Sequence, residues 1–235
     1  EPELCHSGYY GGMMKVCRFI IPFILFCSLS LADKIAVATK VKGEVELMKV
    51  GKKKFIDLKP GTILDDGDKI RTGRNGFAAV IFIDDKSTLK LKEDSEVVIT
   101  GQRTAASISK KINMDGGTIR ATVKKQNTDF VIQTPTSVAS VKGTDFWLLS
   151  DPTTGDQVIG LEGIIGLVNS ETGQEVDVTV GMTGSSTPDG QVAAAETDPN
   201  SVPSDPSAAQ EGPSQVRIYL EGPDGTQKVL VIEYQ

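Results

Sequence analysis

The side chains best suited to chemistry near neutral pH sit at one extreme of this chain. Cys5, Cys17 and Cys27, which are all of its cysteines, and His6, its single histidine, fall within the first 27 residues. Beyond them, thiolate nucleophiles, thiolate or imidazole metal sites and His-dependent triads are excluded, because the required groups are absent. Carboxylates remain for proton transfer. Asp84, Asp145 and Glu162 are the candidates for a hydrolase that uses one acid and one base, a chemistry set by the separation and burial of the pair. No Gly-x-Ser-x-Gly elbow, Ser-x-x-Lys pair or phosphate-binding glycine loop accompanies them. Asp65-Asp66-Gly67-Asp68 offers oxygens on a turning backbone, as a hard cation such as calcium wants, but no Glu closes a twelve-residue loop behind it. Asp-Gly reads first as a turn between Ile63-Leu64 and Lys69-Ile70. The expectation is therefore no catalytic residue, no cofactor and no metal ligand.

The cysteine-bearing stretch has the form of a segment removed on export. Lys15 and Arg18 make a cationic start, Phe19 to Leu29 is an uncharged apolar run, and Ser30-Leu31-Ala32 places small residues before Asp33. The run falls short of the roughly 20 apolar residues that cross a bilayer, so no stable membrane span is expected. Phe26, just ahead of Cys27, disfavours lipid attachment there. Residues 1–12 read as an upstream extension ahead of Met13 and Met14, residues 13–32 as the signal peptide, and cleavage near Ala32 would deliver the chain to the periplasm or the exterior.

From Asp33 onward the chain is long enough for one domain with a real core. Val, Ile and Thr are frequent, Gly is abundant, and no long stretch repeats at helical spacing, so the class is all-β. Glu44 to Met48 alternates polar and apolar and turns at Gly51 to Lys53 into Phe55-Ile56. Phe77 to Ile83 is apolar throughout, as in a strand covered on both faces. Ser87 to Lys92, Thr118 to Val123, Phe130 to Gln133, Phe146 to Leu149, Ile164 to Val168 and Val176 to Val180 continue the series, each bounded by turn residues. Gly43-x-Val45-x-Leu47 with Gly61 is echoed by Gly163-x-Ile165-x-Leu167 with Gly181, although two copies do not define a repeat fold. Residues 185–214, rich in Ser, Pro, Ala, Asp and Gly, bury too little to offset chain entropy and read as a disordered linker. Val216 to Leu220 and Lys228 to Glu233, around Gly222-Pro223-Asp224-Gly225, read as a hairpin over residues 215–235 that must dock to be stable.

Charge is split along the sequence. Residues 33–130 hold 20 Lys+Arg against 14 Asp+Glu, and residues 131–235 hold 3 against 15. A basic half invites an anionic polymer, and Lys52, Lys53 and Lys54 are the candidate contacts; the plainer reading of the same lysines is a solvated hairpin tip. With few aromatic residues and no basic helix, nucleic acid is not expected as a partner.

The most specific block is Phe130-Val131-Ile132-Gln133-Thr134-Pro135 followed by Thr136 to Val141 and then Lys142-Gly143-Thr144-Asp145-Phe146. It resembles the FecR domain, which pairs a strand and Thr-Pro with basic-Gly-Thr and another strand. Gly67-Asp68-Lys69-Ile70-Arg71-Thr72, Asn75-Gly76-Phe77-Ala78, Asp84 to Leu91 and Leu161-Glu162-Gly163 are similar to further segments of that family in the same order, so the signature spans about 66–168 within a domain at 33–184. Lys86 departs from it, standing where the family favours glycine, and implies a different turn. From the residues themselves, Thr134-Pro135 should be extended and Gly143 should take a backbone angle closed to other residues. Thr134, Pro135, Lys142, Gly143 and Thr144 are thus expected to be structural.

The resemblance implies an extracytoplasmic β-sandwich or β-roll of short strands. In the regulators that name the family, the domain relays transporter occupancy to a cytoplasmic anti-sigma segment. Only 18 residues precede Phe19, so the expected role is a stand-alone, non-enzymatic module that binds an envelope protein or polysaccharide. The alternatives are an accessory sensor with a separate membrane partner and, behind it, the carboxylate hydrolase.

Overall fold

The computed structural model describes residues 33–103, 108–125, 130–207, 214–221 and 227–234. The proposed signal peptide and upstream extension lie outside the described residues. The strands are β1 (Lys34–Lys42), β2 (Val45–Met48), β3 (Ile56–Asp57), β4 (Ile63–Asp65), β5 (Asp68–Thr72), β6 (Phe77–Phe82), β7 (Thr88–Leu91), β8 (Glu96–Arg103), β9 (Ile108–Thr122), β10 (Phe130–Gln133), β11 (Ser137–Val141), β12 (Asp145–Asp151), β13 (Gly155–Glu162), β14 (Ile165–Asn169), β15 (Glu175–Val178), β16 (Met182–Ser186), β17 (Val192–Glu196), β18 (Ser214–Glu221) and β19 (Gln227–Tyr234). The all-β expectation agrees with this architecture.

Two layers account for all but the last two strands. One runs β4-β1-β6-β7-β9-β12-β13-β16-β17 and the other β3-β2-β5-β8-β9-β10-β11-β14-β15. β9 belongs to both. Residues 108–116 pair with β8, and residues 117–122 pair with β7 and β12, so the chain turns a corner between layers at Gly116-Gly117. The corner needs glycine, because a Cβ on Gly117 would stand 2.4 Å from the Ser95 backbone. Every ladder is antiparallel except β9 with β10.

In-phase side chains from both layers fill the core, among them Phe82, Leu89, Ile99, Ile112, Phe130, Phe146, Leu148 and Leu167, all nearly inaccessible to solvent. Phe82 and Phe130 meet edge to face at 5.7 Å. Burial at this density, worth about 1.5–3 kcal/mol per large apolar side chain, lets a domain without disulfides hold together. β6 is buried at every position. Its neighbour β1 is covered on the far side by Ile232 of β19, which packs with Val37, Ile63 and Ile83.

The register sorts every turn to one of two ends. Met48, Phe82, Thr88, Thr122, Phe130, Val141, Asp145, Glu162, Ile165 and Val178 lie toward one end, while Thr72, Phe77, Leu91, Gln133, Ser137, Asp151, Gly155 and Asn169 lie toward the other. The echoed segments become β2–β3 and β14–β15, and Gly43, Gly61, Gly163 and Gly181 all take positive φ.

One expectation is corrected here. Residues 185–207 are not a disordered linker: β17 pairs with β16 through Met182↔Glu196 to Ser186↔Val192, and Asp205 is tied to Lys90 and Arg120. The segment lacks apolar bulk, so backbone ladders and ion pairs do the work that burial would otherwise do. Lys86 adopts φ +64°, a left-handed angle that favours glycine. Lys86→Gly is therefore expected to raise stability by about 0.5–1 kcal/mol, since it relieves a left-handed side chain at some cost in unfolded-chain entropy. Chemical denaturation of the two proteins checks this, and a less stable variant would contradict it.

Candidate functional site

The signature residues occupy opposite ends of the β10–β11 hairpin. Thr134 Oγ1 accepts from the Ser137 N–H at 2.8 Å and the Thr136 N–H at 3.1 Å, which closes the turn after Pro135. The same hydroxyl donates to Asp156 Oδ2, and the Ser137 hydroxyl donates to that oxygen too. Asp156, on β13, is buried, so the Thr-Pro turn is pinned to the facing layer through a carboxylate. Pro135 is exposed and lies in a bend rather than the extended conformation expected of it, outside any ladder that would need its missing donor.

At the other end, Lys142 is exposed and Thr144 exchanges both backbone hydrogen bonds with Val123, at 2.7 and 3.1 Å. Gly143 has φ +101°, and a Cβ there would lie 2.9 Å from Lys125 Cα. Across from it, a Cβ on Gly163 would meet the Gly143 carbonyl at 2.7 Å. Three loops thus converge where only glycines fit. Lys52, Lys53 and Lys54 are exposed at the β2–β3 tip, at this same end.

Two of the three acids offered for catalysis, Asp84 and Asp145, are engaged elsewhere. Arg120 clamps Asp145 with two hydrogen bonds, Nε to Oδ1 at 2.9 Å and Nη2 to Oδ2 at 2.8 Å. Glu162 faces Asp145 across the ladder but is exposed. Asp84 accepts from Lys110 Nζ at 2.8 Å and from the Ile108 N–H at 3.0 Å. Burial pushes the Asp84 carboxyl up, and these donors outweigh it and hold the group below its ordinary value. Asp68, fully buried, accepts from Lys49 Nζ at 2.7 Å and from the N–H groups of Val50 and Asp65. Asp66 accepts from the Gly101 N–H, so the calcium-like run is a braced turn. Among the described residues no group of three or more His, Cys, Asp or Glu is arranged to hold a metal ion.

Sequence reasoning missed Lys110, Asp156, Arg120 and Asp205. Asp205 accepts from Lys90 Nζ and Arg120 Nη1, each at 2.7 Å, on the face where Arg120 lies 5.7 Å from the Trp147 ring. Burial alone would raise the Asp205 carboxyl, but Lys90 and Ser207 hold it far below the usual carboxylate range. A depressed folded value contributes stability that is complete above the unfolded pKa of about 3.9 and lost as pH falls through the folded one. Trp147 fluorescence followed on acidification should therefore stay native down to about pH 4. Asp205→Asn should cost about 1–2 kcal/mol at neutral pH and flatten that acid transition. An unaltered transition in the variant would remove Asp205 from the account.

The ends also differ in charge. The end with the Gly143 turn exposes Lys34, Lys52, Lys53, Lys54, Lys86, Lys124, Lys125 and Lys142, with Asp33, Asp84 and Glu162 interspersed, while Asp177, Glu196 and Asp198 make its β15–β17 corner acidic. The other exposes Glu44, Glu93, Asp94, Asp115, Asp151, Glu171 and Asp189, with Lys42 and Arg74 interspersed. An open groove there, about 490 Å³, is lined by Asp94, Glu96, Asp115 and Asp151, with Glu96 and Asp115 both bonded to Lys69.

This framework of pinned turns over residues 68–165 matches the family model described as FecR protein. The FecR match spans residues 68–165, a little under half of the chain. Two crystal structures assigned as an anti-sigma factor from Parabacteroides distasonis ATCC 8503 are similar to the chain at 14% identity, with TM-scores of 0.48 and 0.46. Each match covers 55% of this chain and 60% of the other, so the chain spans less than two thirds of those proteins. No curated protein matches. The FecR match begins at Asp68, the buried acceptor of the Lys49 ion pair, and ends at Ile165, the first residue of β14.

Proposed function

We propose that the chain is a non-catalytic, extracytoplasmic FecR-domain module that acts by binding a component of the bacterial envelope, a protein or a polysaccharide. The FecR match over residues 68–165 carries this reading. It is supported by the engagement of Asp84 and Asp145 with Lys110 and Arg120, which leaves neither poised as an acid or base. The signature turns serve as framework, and recognition falls to the loops at the two ends. Export by cleavage near Ala32 belongs to the same proposal.

Affinity capture from detergent-solubilised envelope with the exported protein tests it, with soluble anionic polysaccharide as a separate arm. A saturable partner that withstands moderate salt supports the module. Retention lost equally from all arms at moderate salt would reduce it to unspecific charge attraction, since exposed contacts are screened over about 8 Å at physiological ionic strength. A second reading, an accessory sensor working with a separate membrane partner, is favoured if the captured protein is an inner-membrane regulator.

A further inference from the structure

The basic end carries a second property that a polysaccharide-binding surface does not need. Among the described residues five large apolar side chains are strongly exposed, and four of them, Val50, Ile56, Ile164 and Val180, stand on the loops of this end or at their foot, at 47–61% exposure. Single exposed aliphatic residues are ordinary, but several on the tips of one end mark a contact surface. Ile164 follows Gly163, which packs on Gly143, and Gly143 packs on Lys125, so an aliphatic tip and a lysine share one cluster of loops. Val50 shares its loop with Lys52, Lys53 and Lys54, whereas Val180 stands at an acidic corner, where the Thr197 N–H, between exposed Glu196 and Asp198, donates to the Gly181 carbonyl at 2.9 Å.

We infer that this end docks on an anionic phospholipid surface through its lysine-bearing loops, with Lys52, Lys53, Lys54, Lys124, Lys125 and Lys142 at headgroup level and Val50 and Ile164 dipping toward the acyl boundary, while the acidic corner beside Val180 stays in water. Lysines alone would suit any polyanion; aliphatic tips among them suit a bilayer, where charge attraction and apolar insertion add. The far end, with Glu93, Asp94, Asp115 and Asp151 exposed, is repelled by the same surface and so sets the orientation. β1 also starts at this end: Lys34 pairs with Asp65, and the Asp66 N–H donates to the Asp33 carbonyl, so the polypeptide enters the domain from the side proposed to face lipid. The surface is a property of the loops and does not depend on whether the domain signals.

The test is sedimentation of the exported protein with vesicles of phosphatidylcholine, with and without phosphatidylglycerol, beside retention on immobilised dextran sulfate. Binding is expected only to the anionic vesicles and should fall steeply with salt. Val50→Ser with Ile164→Ser should weaken vesicle binding about tenfold and leave dextran sulfate retention unchanged, while Lys124→Glu with Lys125→Glu should weaken both. Thermal melts confirm that the variants remain folded, as expected for exposed positions. Failure to bind anionic vesicles, or a serine variant that binds them like wild type, overturns the lipid assignment, the second outcome leaving a purely electrostatic surface.

Discussion

Lys110→Met is expected to destabilise the domain by about 3 kcal/mol, the scale for stranding buried charge by removing its partner. The ammonium of Lys110 is inaccessible to solvent, and it bonds Asp84 Oδ2 at 2.8 Å and Asp85 Oδ2 at 2.9 Å while lying 5.4 Å from the Phe82 ring. Methionine preserves most of the volume, so the loss reports charge rather than a cavity. Asp84 would keep the N–H groups of Ile108 and Asp85 but no cation, and Asp85 the Ser87 N–H and hydroxyl. Neutralising both acids in the same background, with Asp84→Asn and Asp85→Asn, should recover most of the loss, since a neutral cluster no longer strands a charge. Equilibrium denaturation of the single and triple variants decides the matter. A single variant within about 1 kcal/mol of wild type, a threshold well under the expected cost, would show that the cluster is incidental.

The same cluster explains what could and could not be read from the chain. Strands that advertise themselves by alternation or by continuous apolar runs, such as Val45–Met48, Phe77–Phe82 and Phe130–Gln133, fall where the pattern places them. Those that went unread carry polar residues at inward positions. Ile108, Lys110, Ile112 and Met114 all face the core, as do Asp68, Ile70 and Thr72, and Asp156 with Val158. A lysine or aspartate in phase with aliphatic neighbours is therefore the signal that was available: it announces a buried ion pair or hydroxyl clamp, though the partner's identity depends on topology. Charge followed the same logic. Splitting the sequence at residue 130 separates Lys142 from Lys124 and Lys125, whereas the fold returns all three to one end, because each hairpin brings its tip back to an end set by register. The order of residues 185–207 was hidden for a related reason. Asp205 finds its cations on β7 and β9, far away in sequence, and local composition cannot report them.

Gly143→Val should destabilise the domain by about 2–3 kcal/mol, and the cause is local. At φ +101° a β-branched residue is forced into a region closed to it, and its Cβ would start 2.9 Å from Lys125 Cα, a backbone atom held by the Val123–Thr144 ladder. Relief would require separating the segment after β9 from the start of β12, which opens the layer containing Phe146 and Leu148. Gly143→Ala should cost about half as much, since the backbone strain remains but the branched methyls are gone. Thermal melts of the two variants give the order, and vesicle sedimentation at a temperature where both are folded separates stability from recognition. A Gly143→Val protein that melts like wild type yet no longer binds its envelope partner or anionic vesicles would make this turn a contact element. A protein destabilised in the predicted order, with its folded fraction still binding, makes it the hinge-pin that holds Lys125, Lys142 and Ile164 in one cluster.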